Sequence, residues 1–138
     1  MLTPQLSAKI YLALLTRLQA MPGDYPIVEP GQTYPTEADT AFIVVQDVRF
    51  DPVPRYTNAG ASDEHRGTFA LAVMTPLEWS HVQSLGIEGL VRDHMPRGGK
   101  YTYDDVTVDI LETPFAGTAY RDAAWNRLPV NVRWRAAG

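Results

Sequence analysis

A short glycine-containing segment is the first candidate for chemistry. Gly98-Gly99-Lys100 has the residue types of a phosphate-binding loop, in which backbone N–H groups and a lysine hold the anion. Such a loop follows a strand and precedes a helix, whereas this segment follows a predicted helix and precedes a predicted strand. It therefore lies at the negative end of a helix dipole, which favours cations such as Arg97 and disfavours phosphate. Position 101 is Tyr, where the motif needs Ser or Thr. The sequence predicts a turn in which Gly98 ends the helix, and no nucleotide site.

The histidines and their neighbours do not have the spacing of a metal site. Asp63–Arg66 groups two acids, an imidazole and a guanidinium. Adjacent residues of an extended chain point to opposite faces, so we predict solvated loop charges there. His81 and His94 lie near opposite ends of the second predicted helix, roughly 20 Å apart at 1.5 Å per residue. The chain contains no cysteine, so thiolate sites and disulfides are excluded. We expect no metal and no cofactor.

The carboxylates and serines do not form a catalytic group. Asp104, Asp105 and Asp109 suggest paired acids, but Asp105 and Asp109 are four residues apart on one strand face, more than ~12 Å between Cα atoms. Ser62 and Ser80 lack the G-x-S-x-G setting of a hydrolase nucleophile. We therefore predict that the protein is not an enzyme.

Three arginines lie on the outer face of the last predicted strand. Arg127, Arg133 and Arg135 alternate with apolar residues there. They are interpreted as solvated charges, as partners for an acidic neighbouring subunit, or as contacts with a DNA backbone. The sequence alone leaves these three alternatives open.

The composition is that of an ordinary globular protein. The chain has 138 residues, a formal net charge of −4 and 45% apolar residues, which predicts one domain over residues 1–138. The acidity argues against a dedicated DNA-binding domain. No segment approaches the roughly 20 apolar residues of a membrane span, so we expect no membrane partner. Lys9 and Arg17 interrupt the first apolar stretch, which indicates an amphipathic helix and not a signal peptide.

Two helices are predicted to position these side chains. The first begins at Thr3-Pro4 and carries an apolar stripe that recurs every four residues: Leu6, Ile10, Leu14 and Leu18. We expect the stripe to pack on the protein's own sheet; a partner-binding helix is the alternative. The second helix runs from Ser80 to His94, with a capping box between Ser80 and Gln83. Gly86 and Gly89 are unfavourable inside a helix, and we expect them to permit close approach to the sheet.

The strands predict the fold class. Apolar runs and alternating patterns occur over five segments: Tyr25–Pro30 at an edge, Ala41–Phe50, Arg66–Pro76 at the centre with both faces apolar, Asp104–Leu111 and Arg127–Arg135. Two loops are expected, Asp51–His65 and Thr113–Trp125, the first long and mobile. The sequence predicts an α+β fold with a single mixed, mostly antiparallel β-sheet of about four to six strands packed with two α-helices.

The order of these segments resembles the tail terminator proteins of long-tailed phages and their prophage relatives. The resemblance spans nearly the whole chain, although each matching piece is short. The pieces are Arg66-Gly67 opening a strand that closes on Pro76, Met95-Pro96-Arg97-Gly98 after a helix, Val106-Thr107-Val108, and Trp125-Asn126-Arg127-Leu128-Pro129-Val130 in the last strand.

The resemblance implies a structural protein of the virion tail, assembled in the bacterial cytoplasm. Proteins of this family form a six-fold ring on the tail tube, contacting copies of themselves, the major tail tube protein and a head-completion protein, while DNA only passes through the bore. We assign Arg55, Tyr56 and Asn58 of the long loop to the assembly interface, because Tyr and Arg anchor interfaces. Arg133 and Arg135 are a second assignment. Alternatives are another head–tail connector or minor tail protein, a small hydrolase or nucleotide-binding enzyme, and a bacterial adaptor domain.

Overall fold

The computed structural model describes residues 4–35, 40–51 and 64–137. Two helices and eight strands occur in these ranges: α1 (Pro4–Gln19), β1 (Ile27–Val28), β2 (Phe42–Phe50), β3 (Glu64–Pro76), α2 (His81–His94), β4 (Lys100–Tyr103), β5 (Val106–Ile110), β6 (Phe115–Ala116), β7 (Tyr120–Asp122) and β8 (Trp125–Ala137). Neither helix is long and apolar enough to cross a membrane.

The strands form one mixed, mostly antiparallel sheet in the order β1-β2-β3-β8-β5-β4. Among the strand pairs of the described ranges, β1–β2 alone is parallel. The short strands β6 and β7 pair with β8 on the side that β5 also occupies, further toward the N-terminal end of β8. The predicted α+β class is therefore confirmed, and the edge strand expected within Tyr25–Pro30 is β1. The sheet contains more strands than expected because β4, β6 and β7, which have four residues or fewer, were not predicted as strands.

The core lies between the two helices and one face of the sheet. Ile10, Leu14 and Leu18 of α1 are fully buried, and α1 packs on β4 and β5. The apolar stripe of α1 therefore covers the protein's own sheet, as predicted. The alternating apolar residues of β8 fill the same core: Leu128, Val130, Val132 and Trp134.

The helices are also joined to each other by polar contacts. Arg17 of α1 donates through Nε and Nη2 to the His94 carbonyl at 3.0 and 2.8 Å. His94 Nε2 donates to the Arg17 carbonyl at 2.6 Å, and the Arg17 guanidinium lies 4.8 Å from the centre of the Tyr101 ring. These bonds satisfy carbonyls near the C-terminal ends of both helices, where no intrahelical donor remains.

The second face of the sheet carries a smaller apolar cluster at one end. Phe42 and Val44 of β2 pack there with Ala72 and Met74 of β3, and Trp125 covers them in part. The prediction that β3 is central, with apolar residues buried on both faces, is confirmed. The other end of this face is polar and carries Arg133 and Arg135 of β8.

Two predicted loops are partly strands. Residues 64–66 belong to β3, and His65 is 97% buried on the helix side, with 3% of its surface exposed. The prediction of solvated charges is therefore wrong for His65, whose Nε2 has no hydrogen-bond partner among the described residues. Thr113–Trp125 contains β6 and β7. Strands β6 and β7 show no alternation of buried and exposed residues, because nearly all of their side chains are exposed.

The predicted Asp104–Leu111 strand is shorter at its start. Asp104 and Asp105 form the turn between β4 and β5, and β5 begins at Val106. Asp104 has φ +57°, a left-handed conformation that Asp adopts more readily than most residues. Lys9 of α1 reaches both carboxylates, at 2.9 Å to Asp104 and 2.6 Å to Asp105. The paired acids therefore hold a turn against a helix.

Helix α2 has the predicted start but not the predicted use of its glycines. The Ser80 backbone N–H donates to Gln83 Oε1 at 2.8 Å, as a capping box requires. A Cβ on Gly86 would meet no atom within 4 Å, and one on Gly89 would meet only Arg92 of the same helix. The expected close approach of these glycines to the sheet is wrong, because both lie away from the buried side of α2.

Replacing Gly86 with alanine is expected to raise the free energy of unfolding by up to about 1 kcal/mol, since alanine restricts the unfolded chain and nothing obstructs its methyl group. Gly98→Ala is a matched control, because that Cβ also meets open space but φ is +84°. The control should lose stability. Urea unfolding of both variants measures the difference, and a destabilised Gly86→Ala would contradict this account of α2.

Candidate assembly surfaces

The turn after α2 connects this helix to β4 and is held by hydrogen bonds to β5. Helix α2 ends at His94 and β4 begins at Lys100. Gly98 has φ +84° and donates its N–H to the Ile110 carbonyl at 2.8 Å. Lys100 Nζ lies 3.1 Å from Asp109 Oδ1. Because the lysine is paired with a carboxylate and the order is helix then strand, the turn lacks the geometry of a phosphate loop.

Arg135 belongs to a row of ion pairs that crosses the exposed end of the sheet. Its Nη2 donates to Asp109 Oδ2 at 3.1 Å, and Asp109 also accepts from Lys100. On the other side, Glu64 lies 3.9 Å from Arg135 and 2.9 Å from Arg66. Burial raises the pKa of Asp109, but the bonds from Lys100 and Arg135 outweigh it and hold that pKa below its usual value. The row therefore joins β4, β5, β8 and β3 through alternating charges.

Arg133 makes a second connection on the same face. Its Nη1 donates to Thr68 Oγ1 at 2.7 Å, and its Nη2 donates to Asp51 Oδ2 at 2.9 Å. The bond to Asp51 raises the pKa of Arg133 despite partial burial. The side chains of Arg133 and Arg135 remain 28% and 42% exposed. Both arginines are thus bound within the chain while still presenting surface to a partner.

The interface residues assigned to the long loop lie outside the described residues: Arg55, Tyr56 and Asn58. The segment that contains them joins β2 to β3. At its base, the Asp51 N–H donates to the Arg66 carbonyl at 2.8 Å, and Asp51 holds Arg133. The described residues on either side of this segment, Asp51 and Glu64, therefore lie beside Arg133 and Arg135. The assignment of Arg55, Tyr56 and Asn58 stays a prediction.

Arg127 does not share the exposed position of the other two arginines. Only 8% of its surface is accessible. Its Nη1 lies 3.2 Å from Asp122 Oδ2 and 3.4 Å from the Tyr34 hydroxyl. Burial lowers its pKa, but Tyr34, Tyr120 and Asp122 together raise it. Arg127 lies on the predicted face of β8. The expectation of a solvated or partner-facing side chain is wrong for it, because β7 and the chain before β2 cover this end of β8.

A cleft of about 320 Å³ lies between the start of α2 and β7. Its walls include Trp79, His81, Ser84 and Tyr120. The Ser84 hydroxyl is 2.9 Å from the hydroxyl of Thr75, a buried pair in which His81 takes no part. The cleft thus lacks the base–nucleophile contact of a hydrolase. No group of three or more metal-ligating side chains occurs in the described ranges.

Large apolar side chains are exposed on α2, β6 and β7. Val82 and Leu85 of α2 are 77% and 41% exposed, and Phe115 and Tyr120 on β6 and β7 are 47% and 51% exposed. Aromatic residues are enriched in protein interfaces. The sequence reasoning missed Phe115 and Tyr120 because it treated their segment as a loop.

A family model for phage tail terminator proteins matches residues 9–134. The chain belongs to the phage tail terminator family. Membership gives the chain a structural role in a phage tail and confirms the resemblance inferred from the order of its segments. No curated protein gives a significant match.

Two solved structures show the same fold as this tail terminator chain. One has a TM-score of 0.73 at 15% identity, with 92% of each chain covered. The other is a chain from the virion of a native gene transfer agent (GTA) particle, with a TM-score of 0.66 at 12% identity, covering 99% of this chain and 100% of that one. At these identities the likeness shows the fold alone.

The short motifs on which the terminator resemblance rests lie within strands or at the end of a helix. Arg66-Gly67 lies inside β3, and Met95–Gly98 forms the exit from α2. Val106–Val108 begins β5, and its two valines are buried. Trp125–Val130 is the first half of β8, where β6 and β7 pair. The motifs therefore maintain the scaffold, and the surfaces described above lie around them.

Proposed function

We propose that this protein caps the tail tube as a ring of six identical subunits, as do the proteins it resembles. The ring would stop polymerisation of the tube protein and offer its other face to a head-completion protein, with DNA passing through the bore. The observation that carries the proposal is the family match over residues 9–134.

The surfaces of the molecule support such a role. A closed ring needs heterologous contacts, in which two different patches of each subunit meet. The exposed aromatic residues Phe115 and Tyr120 and the exposed parts of Arg133 and Arg135 supply surface for such contacts.

We assign contact with the tube or a neighbouring subunit to Arg55, Tyr56 and Asn58, with Arg133 and Arg135 as a second contact. The arginine face adjoins the base of the loop through the Arg133–Asp51 pair. A partner that contacts the chain where this segment leaves Asp51 would therefore also approach Arg133.

Deleting Arg55–Ser62 is expected to abolish tail capping while leaving the fold intact, because the deletion spares β2 and β3. A phage carrying the deletion should produce abnormally long tubes in electron micrographs, and the purified variant should keep its circular dichroism spectrum and unfolding midpoint. Replacing Arg55, Tyr56 and Asn58 with alanine should have the same effect, whereas alanine at the neighbouring Thr57 and Ser62 should have little.

The same micrographs distinguish the related roles. Normal infectious particles from the deletion would refute the assignment of the loop. Tails of normal length without heads would indicate a head–tail joining role, and normal tails lacking another component would indicate a minor tail protein.

A further inference from the structure

The cleft between the start of α2 and β7 has the size of a small ligand site. Its volume is about 320 Å³, and pockets that hold small ligands range from about 300 to 1,000 Å³. Leu77 and Trp79 of the chain before α2 line it, as do Tyr120 and Arg121 of β7 and the first part of β8. The cleft is therefore large enough to receive side chains of a partner.

Hydrogen bonds within the chain hold the walls of the cleft in place. Asn126 Nδ2 of β8 donates to the Pro76 carbonyl at 3.0 Å, and the Trp79 N–H donates to the same carbonyl at 3.0 Å. The hydroxyls of Thr75 and Ser84 join β3 to α2. Because these walls are fixed within the chain, a ligand does not have to order them, which lowers the entropy cost of binding.

Two arginines line the cleft and no carboxylate does so within the described ranges. Arg127 is paired with Asp122 at 3.2 Å, whereas Arg121 is exposed and its side chain has no ion pair with a described residue. His81 adds a third group that carries positive charge when it is protonated. This local excess of cations contrasts with the net charge of −4 for the whole chain and favours an anionic partner.

The start of α2 adds to the positive potential of the cleft. His81 is the first residue of α2 and Ser84 is the fourth, and both line the cleft. The first turn contains no acidic residue that would balance the positive end of the helix dipole. A carboxylate in the cleft would therefore lie at the end of the helix that stabilises it.

A buried hydroxyl provides a hydrogen-bond donor for the same carboxylate. Ser84 lines the cleft, is 3% exposed, and lies with its hydroxyl 2.9 Å from that of Thr75, where either oxygen can be the donor. Each hydroxyl carries one hydrogen, so a pair that shares a single bond leaves one hydrogen without an acceptor among the described residues. Ser84 can therefore accept from Thr75 and donate to an oxygen that enters the cleft.

Aromatic side chains supply the apolar part of the lining. Trp79 is partly buried and packs on the core, while Tyr120 is 51% exposed. Tryptophan, tyrosine and arginine are the residue types that contribute most to binding at protein interfaces. A ligand that fits the cleft therefore combines an apolar side chain with an anionic oxygen.

A second copy of this chain is a poor source of such a ligand, because most of its described carboxylates already have a cationic partner. Asp104 and Asp105 pair with Lys9, and Asp109 pairs with Lys100 and Arg135. Further ion pairs within the chain use the following acids: Asp47, Asp51, Glu64, Glu88 and Asp122. A different protein with free acidic residues is the better source.

We propose that the cleft binds an acidic segment of a partner protein. A carboxylate of this segment pairs with Arg121 and accepts from Ser84, while a neighbouring apolar side chain packs against Trp79 and Tyr120. A nucleic acid backbone suits the site less well, because it needs a row of cations, and among the described arginines that line the cleft Arg121 alone has no ion pair. The site goes beyond the proposed capping role and does not depend on it.

The peptide acetyl-Asp-Leu-Asp-amide is the probe, and acetyl-Asn-Leu-Asn-amide is its neutral counterpart. Each is titrated into ¹⁵N-labelled protein while the indole signals of the three tryptophans are followed by NMR, and Trp79→Phe identifies the Trp79 signal. We expect the acidic peptide to shift this signal in a saturable way, with a dissociation constant on the order of 1 mM for so few contacts. The neutral peptide should shift it little, and the signal of the buried Trp134 should not move.

Arg121→Ala is expected to weaken binding of the acidic peptide about fivefold, the upper range for an exposed ion pair. Arg97→Ala is the matched control, because it removes an exposed arginine that follows the other end of α2 and does not line the cleft. The control should bind within about twofold of the parent chain. Tyr120→Ala removes the exposed aromatic wall and should weaken binding about fivefold or more.

Several results would overturn the proposed site. These are equal shifts from the acidic and neutral peptides, no shift from the acidic peptide at about ten times the expected dissociation constant, and an Arg97→Ala effect as large as that of Arg121→Ala. A shift of the Trp79 signal on raising the protein concentration alone would assign the cleft to a second copy. A larger shift from a thymidine oligonucleotide would assign it to nucleic acid.

The loop deletion separates this site from the capping role. The variant that lacks Arg55–Ser62 should bind the acidic peptide as the parent chain does, because the deletion spares α2, β7 and β8. Normal tails from that deletion would reject the loop assignment and leave the cleft in place. Failure of the parent chain to bind the peptide, together with abnormally long tubes from the deletion, would reject the cleft alone.

Discussion

Replacing Gly67 with alanine is expected to lower the free energy of unfolding by about 3 kcal/mol, the upper end of the usual cost of overpacking. Gly67 lies inside β3, with Phe50 of β2 and Trp134 of β8 as its direct neighbours. A Cβ there would overlap the carbonyl oxygen of Arg49 and press against the Trp134 indole. The Arg49 oxygen belongs to the adjacent strand, so it moves only if the β2–β3 pairing is distorted.

Urea unfolding of Gly67→Ala beside Gly86→Ala measures this effect with an internal reference. The two substitutions add the same methyl group, yet one meets backbone and the other meets nothing within 4 Å. They should shift stability in opposite directions. A Gly67→Ala variant within about 0.5 kcal/mol of the parent, the range of ordinary surface substitutions, would show that the strands move apart easily.

The main elements were predictable because their residues obey one periodicity. The alternation of β8 and the four-residue stripe of α1 indicate which side is buried, and the structure confirms both. Strands β6 and β7 gave no such signal. They are formed by pairing with a long neighbour, and Phe115 and Tyr120 stay exposed, so neither burial nor alternation marks them.

The candidate surface was less predictable because it depends on register. Arg133 and Arg135 were correctly placed on the outer face of β8, but their bonds to Asp51 and Asp109 join residues far apart in the sequence. Which acid faces which arginine follows from the pairing of three strands. Arg127 has the same place in the alternation, yet tertiary covering by Tyr34 and β7 buries it.

The burial of His65 was also not predictable from the local sequence. A histidine among Asp, Glu and Arg indicates a solvated segment, but the strand extends to Glu64 and places His65 on the helix side. Only the start of β3, which no local signal marks, decides this. Sequence patterns therefore located the scaffold better than the ends of its strands, and the proposed contacts lie at those ends and edges.

Replacing Trp134 with alanine is expected to destabilise the protein by about 3–5 kcal/mol, the cost of truncating a large buried aromatic residue. Trp134 is fully buried and packs edge-on against Phe50, with ring centres 5.3 Å apart. Its indole N–H has no hydrogen-bond partner among the described residues. Trp134→Phe removes that unsatisfied donor while keeping an aromatic ring, so its cost should be less than half that of alanine.

The effects of Gly67→Ala and Trp134→Phe on stability should also be coupled, because a side chain at position 67 would contact the Trp134 ring. If the indole accounts for part of the overlap at Gly67, Trp134→Phe will cost less in the Gly67→Ala background than in the parent chain. The recovery should be incomplete, because the Arg49 carbonyl still obstructs the new methyl group. A double-mutant cycle in urea measures the coupling. Strict additivity would indicate that the backbone of β2 alone excludes a side chain at position 67, and full recovery would indicate that the indole alone does.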